Sequence, residues 1–200
     1  MHRRRFLSLC GVSASITAAG CVQPPMNGES PTTEIPVSIV TTTAQPDVPF
    51  EYDAEMIESV ANDERPARLR ITITNSSDEV IALGEERDVQ FHHVSSIERS
   101  LYLHPAGGET WDGPVDPGCW QMTEYVPIPE YYGVVTVESG EVLQAESYVY
   151  GHPELPDEVC LPEGEHHLDT SGVVGSDETA VLEGTSVTEF KWGVTLRVGE

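Results

Sequence analysis

The sequence predicts an all-β chain whose residues 50–200 fold as an antiparallel β-sandwich. About ten short runs alternate apolar and polar residues with a period of two. Gly and Pro, 17 and 15 in number, punctuate them, and no apolar run keeps helical spacing for long.

The elements follow in chain order. Phe50 to Val60 is the first run. Within it, Asp53 to Asn62 is the one helical competitor, because its Ala, Glu and Met favour a helix, but Pro66 and the strand that follows leave it isolated. Leu69, Ile71 and Ile73 alternate with Arg68, Arg70 and Thr72, and Asn75-Ser76-Ser77-Asp78 then turns the chain into Val80 to Leu83. Asp88 to Val94, Arg99 to Leu103 and Cys119 to Tyr125 are further candidate strands. Val134 to Glu138 and Glu141 to Tyr150 flank Ser139-Gly140, a two-residue hairpin signal. Gly164 to Thr170 and Glu189 to Val198 complete the set.

Ahead of the sandwich, residues 1–20 read as an export signal. His2-Arg3-Arg4-Arg5 is a charged start, and Phe6 to Gly20 is an apolar stretch too short for a bilayer, which needs about 20 residues. Arg3-Arg4-Arg5-Phe6-Leu7 matches the twin-arginine pattern that exports folded proteins. Thr17-Ala18-Ala19-Gly20-Cys21 resembles a lipobox, with Ala18 where Leu is usual, which implies that Cys21 becomes a lipid-modified N-terminus. Residues 21–49 are rich in Pro and Thr, as suits an extended stalk. Ile35, Val37 and Ile39 alternate, so a short edge strand is the alternative for that part.

The charge removes whole classes of function. Against 34 Asp plus Glu stand 10 Lys plus Arg, a net charge of -24, and cleavage before Cys21 would remove three of the Arg. No basic face remains to displace counterions from phosphates, so nucleic acid is excluded as a partner. The single Lys, Lys191, belongs to no phosphate-binding loop, and neither a G-x-S-x-G elbow nor an H-E-x-x-H pair is present. So dense an anionic surface resembles that of halophilic archaeal proteins, where molar salt screens repulsion to within about 3 Å. The carboxylates are then a solvated coat, the alternative being a calcium-binding or polycation-binding surface, for which no D-x-[DN]-x-[DN]-G loop is present.

A family resemblance rests on Pro66-Ala67-Arg68-Leu69-Arg70-Ile71-Thr72-Ile73-Thr74-Asn75, Ser139-Gly140-Glu141, Cys160-Leu161-Pro162-Glu163-Gly164-Glu165 and Trp192-Gly193-Val194-Thr195-Leu196. Together these resemble haloarchaeal lipoproteins with an immunoglobulin-like domain and, more remotely, the BsuPI-type proteinase-inhibitor sandwich. The resemblance implies an immunoglobulin-like fold and carries over no catalytic residue.

Candidate site residues are few. With Cys10 lost and Cys21 lipidated, Cys119 and Cys160 remain as a pair for a disulfide in an oxidising compartment. Asn75-Ser76-Ser77 is an N-glycosylation sequon on a turn. A copper site would use Cys160 and His166 with His92, His93 or His104. The gap between Cys160 and His166 is wide and no Met follows Met122, so neither a metal nor a cofactor is expected. Arg65, Arg68 and Arg70 are read as partners of carboxylates on the sheet, the alternative being an acidic partner. Trp111, Trp120, Trp192 and Tyr131-Tyr132 are read as core aromatics, with a contact surface as the alternative.

The resulting expectation is a non-catalytic binding or structural module, lipid-anchored on the outer face of a halophile's membrane, with a protein or cell-surface glycan partner. A BsuPI-like inhibitor and, below it, a metal or copper carrier are the alternatives.

Overall fold

A computed structural model describes residues 34–86, 91–107, 118–124, 133–156 and 159–200. The signal segment, Cys21, the first part of the Pro/Thr stretch, Trp111 and Tyr131-Tyr132 lie outside the described residues. Ten strands and one short helix are present among the described residues: β1 Ile35–Thr42, β2 Phe50–Glu58, β3 Val60–Ala61, β4 Ala67–Asn75, β5 Ile81–Glu85, β6 Leu101–Pro105, β7 Gly133–Val137, β8 Val142–Gly151, β9 Gly164–Gly175, α1 Glu178–Glu183 and β10 Thr188–Val198. They form two antiparallel sheets, one in the order β3-β1-β10-β9-β5-β7 and the other in the order β2-β4-β8-β6. The fold is an all-β sandwich.

Alternation places the core. In β4, Leu69, Ile71 and Ile73 are buried, while Arg68 and Arg70 emerge on the outer face of the smaller sheet. β10 supplies Phe190, Trp192, Val194, Leu196 and Val198 from the larger sheet. Opposite them Tyr52 stacks on Trp192 with ring centroids 5.0 Å apart, and Phe91 meets the same indole edge-on at 5.4 Å. Gly172 on β9 is a glycine because the Phe190 ring lies over it: a Cβ there would come within 2.5 Å of Phe190 Cζ and 2.6 Å of the Gly84 carbonyl.

Several elements differ from expectation. Residues 35–42, read as the end of the stalk with an edge strand as the alternative, form β1, which lies between β3 and β10. The sandwich therefore takes in residues assigned to the linker and does not begin at residue 50. Thr and Val are β-formers as well as linker residues, and Val37 is 1 % exposed. The helical competitor is resolved in favour of β2, whose register with β4 runs from Phe50 opposite Asn75 to Glu58 opposite Arg68. Phe91 and His93 have φ of 62° and 55° and lie in a turn, so Phe91 to Val94 is not strand. Cys119 to Gln121 makes only isolated bridges, of which Gln121 joins Gly151. The helix α1 was not expected, and its caps are residues of the usual kinds: Asp177 accepts from the Ala180 N–H as N-cap, and Gly184 closes the other end at φ 64°.

Ser139-Gly140 is a tight turn but not a hairpin, because β7 belongs to the larger sheet and β8 to the smaller one. The chain changes sheets here, and it changes again between β4 and β5. One side chain ties both crossings. Asn75 Nδ2 donates to the carbonyls of Glu79, Val137 and Glu138 at 2.8, 3.0 and 3.1 Å, and its Oδ1 accepts from the Ser77 N–H and hydroxyl. Its backbone accepts from Gly140 and donates to Glu141. Replacing Asn75 with Ala strands buried carbonyls, so Asn75→Ala is expected to lower the unfolding free energy by about 3 kcal/mol. Denaturant titration in molar salt measures this.

Candidate functional site

The site is built where β5 leaves the larger sheet. Glu85, the last residue of β5, is wholly buried among aromatic side chains. A carboxylate there has to be satisfied by fixed donors. Tyr52 donates its hydroxyl to Oε1 at 2.9 Å, and the Phe91 N–H donates to Oε2 at 2.9 Å. Burial first, then the Glu85 charge, holds the Tyr52 phenol well above its ordinary range, so it remains a donor. The contact to Phe91 fixes the returning loop, whose Phe91, His93 and Arg99 all have left-handed backbone. Three such non-glycine residues in nine mark a locally strained segment.

That loop re-enters the sheet beyond the end of β5. Glu86 N–H bonds the Ser171 carbonyl, and further along β9 the Ile97 N–H bonds the His167 carbonyl while Ser96 bridges Leu168. Between the departing and returning segments lies a cleft of about 730 Å³. Tyr102 and His152, each 2 % exposed, contribute to its lining from the smaller sheet's side, and Thr170 contributes from β9. Glu86, Glu154 and Asp169 line it too, with Arg99 bonded to Glu154 at 2.9 Å. Ile97, 63 % exposed, adds an apolar lip.

Below the loop is a relay of hydroxyls. Ser96 and Ser100 Oγ are 2.9 Å apart, Ser100 Oγ is 2.7 Å from His166 Nδ1, and His166 Nε2 is 2.9 Å from the Pro162 carbonyl. A carbonyl only accepts, so Nε2 carries a proton, and Nδ1 meets the Ser100 hydroxyl. The pair has the atoms of an activated serine, yet its setting is structural. Ser100 is buried and does not line the cleft, and Ser96 Oγ accepts the N–H groups of Ser100 and Leu101. The relay holds the loop closed.

The sequence candidates divide clearly. Cys119 and Cys160 form the expected disulfide, S–S 2.06 Å with Cα atoms 4.7 Å apart. Closing a loop of that separation stabilises by about 4 kcal/mol in the chain-entropy model. Cys160 therefore has no thiolate for copper, and His166 commits both ring nitrogens elsewhere. Among the described residues no group of three His, Cys, Asp or Glu is arranged to hold a metal ion. Asn75 corrects the glycosylation reading: it is 0 % exposed and its amide nitrogen is engaged by three carbonyls, so no glycan fits on it in the folded domain.

Arg65, Arg68 and Arg70 pair on the sheet as expected. Arg65 and Arg68 meet Glu58, Arg68 also meets Glu146, and Arg70 bridges Glu55 and Glu146. The Arg70 hydrogen bond holds the Glu146 carboxyl below its ordinary value. Trp120 and Trp192 are core residues, the former donating its indole N–H to the Asn62 carbonyl at 2.7 Å.

Comparison of the chain with protein-family models, with curated proteins and with solved structures finds no match. The cleft itself has no counterpart in the sequence reading. Its one legible signal is Arg99, one of the few cations of an acidic chain.

Burial lowers the affinity of His104 and His152 for protons from the ordinary value of 6.5. For His104 the Pro105 carbonyl opposes the shift and His92 adds to it; for His152 Glu154 opposes it and Arg99 adds to it. The unfolded chain then binds more protons than the native one just below that value. Their contribution is complete above pH 6.5 and is lost as the pH falls from there through the depressed native values. The melting temperature is expected to drop over this window, and His152→Gln should flatten the slope in a pH series at constant salt.

Proposed function

We propose that this chain is a lipid-anchored, outward-facing binding module of a halophile, immunoglobulin-like in fold and without catalytic activity. The cleft between the end of β5 and the loop from Phe91 to Ser100 is the observation that carries this reading. It is a concave surface of about 730 Å³ framed by rigid strands, with polar groups converging on it. The Ser96, Ser100 and His166 hydroxyl relay supports a non-catalytic role, since its oxygens are spent on holding the loop.

The location follows from residues 1–34, ahead of β1. A twin-arginine signal at Arg3 to Leu7 exports the folded protein, and Cys21 takes a lipid that anchors it to the outer face of the cell membrane. The Pro/Thr segment then holds the sandwich away from the bilayer. The partner is a protein or a cell-surface glycan, nucleic acid being excluded by charge. No cofactor is required. The carboxylate coat suits molar salt, in which repulsion between surface charges is screened within about 3 Å.

Two outcomes test the reading. Cys21→Ser, expressed in a haloarchaeon, is expected to move the protein from the detergent-extractable membrane fraction into the soluble one. Retention wholly in the membrane would refute the anchor. Separately, a pull-down from membranes in molar salt should enrich one partner reproducibly, while a hydrolase and protease panel shows no turnover. Turnover abolished by a single Ser, His or Asp substitution, with no partner enriched, overturns the assignment.

A further inference from the structure

We propose that β2 is an open sheet edge that accepts an extended strand of a partner protein, one whose residues alternate between basic and apolar. The inference goes beyond the binding-module reading, because it names a second surface whose adjoining cavity shares no lining residue with the cleft.

The backbone is the first argument. β2 is an edge of the smaller sheet and pairs only with β4. The Tyr52 N–H and carbonyl point away from β4, because both bond the side-chain amide of Gln45, at 2.8 and 2.6 Å. Direction alternates along an antiparallel pair, so the N–H and carbonyl groups of Ala54 and Met56 point the same way as those of Tyr52. Nothing among the described residues bonds them. The other edge of this sheet is covered: the returning loop pairs with β6, where the Leu103 N–H bonds the Val94 carbonyl and the Ser96 N–H bonds the Leu101 carbonyl. Gln45 marks what the open edge takes. Its amide makes the two bonds that one residue of an added strand would make, and the residue is exposed, so an arriving strand can displace it.

The side chains on either side of this edge define the occupant, because an added strand lays its residues on the two faces alternately. On the outer face it meets Glu51 and Asp53, both exposed and without a cation partner among the described residues. Glu55, by contrast, is held by Arg70, and Glu58 by Arg65 and Arg68. Charge already alternates from strand to strand across this face: Glu146 on β8, Arg68 and Arg70 on β4, carboxylates on β2. The next strand in that order carries basic residues. On the inner face it meets Ala54 and Met56, which pack on the core and are only partly buried. Apolar side chains complete their cover.

At the Gln45 end the edge borders a cavity of about 360 Å³, lined among others by Val48, Glu51, Asp53 and Thr74. Carboxylates beside an apolar wall suit one long basic side chain, its stem on Val48 and its charge at the rim. The same carboxylates exclude a second copy of this chain as the occupant. Two β2 edges would set Glu51 and Asp53 against their own counterparts, and like charges placed opposite each other are destabilising.

The probe is a capped seven-residue peptide of alternating Arg and Val, titrated by calorimetry into the full chain in molar salt. Saturable binding is expected, and the amide exchange of Ala54 and Met56 should slow about tenfold or more at saturation. Two further peptides carry N-methyl groups, one on every Val and one on every Arg, with the charge unchanged. One of them should bind about tenfold or more weakly, since only one set of N–H groups faces β2. Ala54→Pro removes an outward N–H without touching the bonds to β4 and should abolish binding. Glu51→Gln combined with Asp53→Asn should weaken it, and Gln45→Ala, which vacates the Tyr52 groups, should tighten it. The absence of saturation, equal binding of a peptide with its Arg and Val in separate blocks, affinity that neither methylation lowers, or unchanged exchange at Ala54 and Met56 overturns the proposal. If circular dichroism shows Ala54→Pro unfolded, a Gln45→Ala affinity that is unchanged or weaker overturns it instead. Slow exchange of both amides before any peptide is added also overturns it, in favour of a second copy where light scattering shows a dimer and of the chain's own N-terminal segment where it shows a monomer. A membrane partner captured equally well by folded Ala54→Pro overturns the edge as the docking surface and leaves the binding module standing. Peptide binding in a protein that captures no membrane partner supports the edge and sinks the module reading alone.

Discussion

A single buried carboxylate organises this sandwich. Glu85 ends β5, and its two oxygens are divided between the Tyr52 hydroxyl from the opposite sheet and the Phe91 N–H of the returning loop. The division matters because an ionised carboxylate buried without donors costs several kcal/mol. Satisfying it fixes the spacing of the sheets at β2 and the point at which the loop re-enters. From that point follow the left-handed turn at Phe91, the edge-on packing of its ring on Trp192 and the cleft that opens beyond. The Trp192 indole N–H is itself buried with no partner among the described residues, a cost that the surrounding ring packing has to offset.

Polar groups are used in two ways in the molecule. On the outer face of the smaller sheet, Arg68 and Arg70 form a shared ladder with Glu55, Glu58 and Glu146, each partly in solvent and individually weak. Inside, Asn75, Glu85 and the Ser96–Ser100–His166 chain are buried and bonded throughout, and each lies where the chain enters or leaves a sheet. The exposed set matches charges on a surface crowded with one sign. The buried set specifies geometry.

The sequence conveyed the strands whose alternation is uninterrupted, such as β4 and β10, because burying one face of a pleated strand demands that pattern. It also conveyed the Cys119–Cys160 bond through elimination of the other thiols. It could not convey the cleft. Glu85 reads as one carboxylate among 34 acidic residues, and only its position beneath the aromatic layer makes it different. Phe91 and His93 sit in a run that alternates like a strand, but the bond from Phe91 to Glu85 holds the backbone in a turn. Asn75 illustrates the opposite hazard. Its sequon is correct as a motif, and the same amide chemistry that would accept a sugar instead closes two sheet crossings.

The pairing of β1 with β10 sets Val37 opposite Val198 and carries the first described strand to the last. β1 has only the two-residue β3 as its other neighbour, so most of its backbone partners are at the far end of the chain. Ribosomal synthesis adds about 5–20 residues per second, which leaves this strand without its main neighbour for many seconds after it is made. The larger sheet therefore closes only once β10 has been made. A premature stop between β9 and β10 leaves two strands, β1 and β9, with open edges that other chains can pair with, so such incomplete products are prone to aggregate.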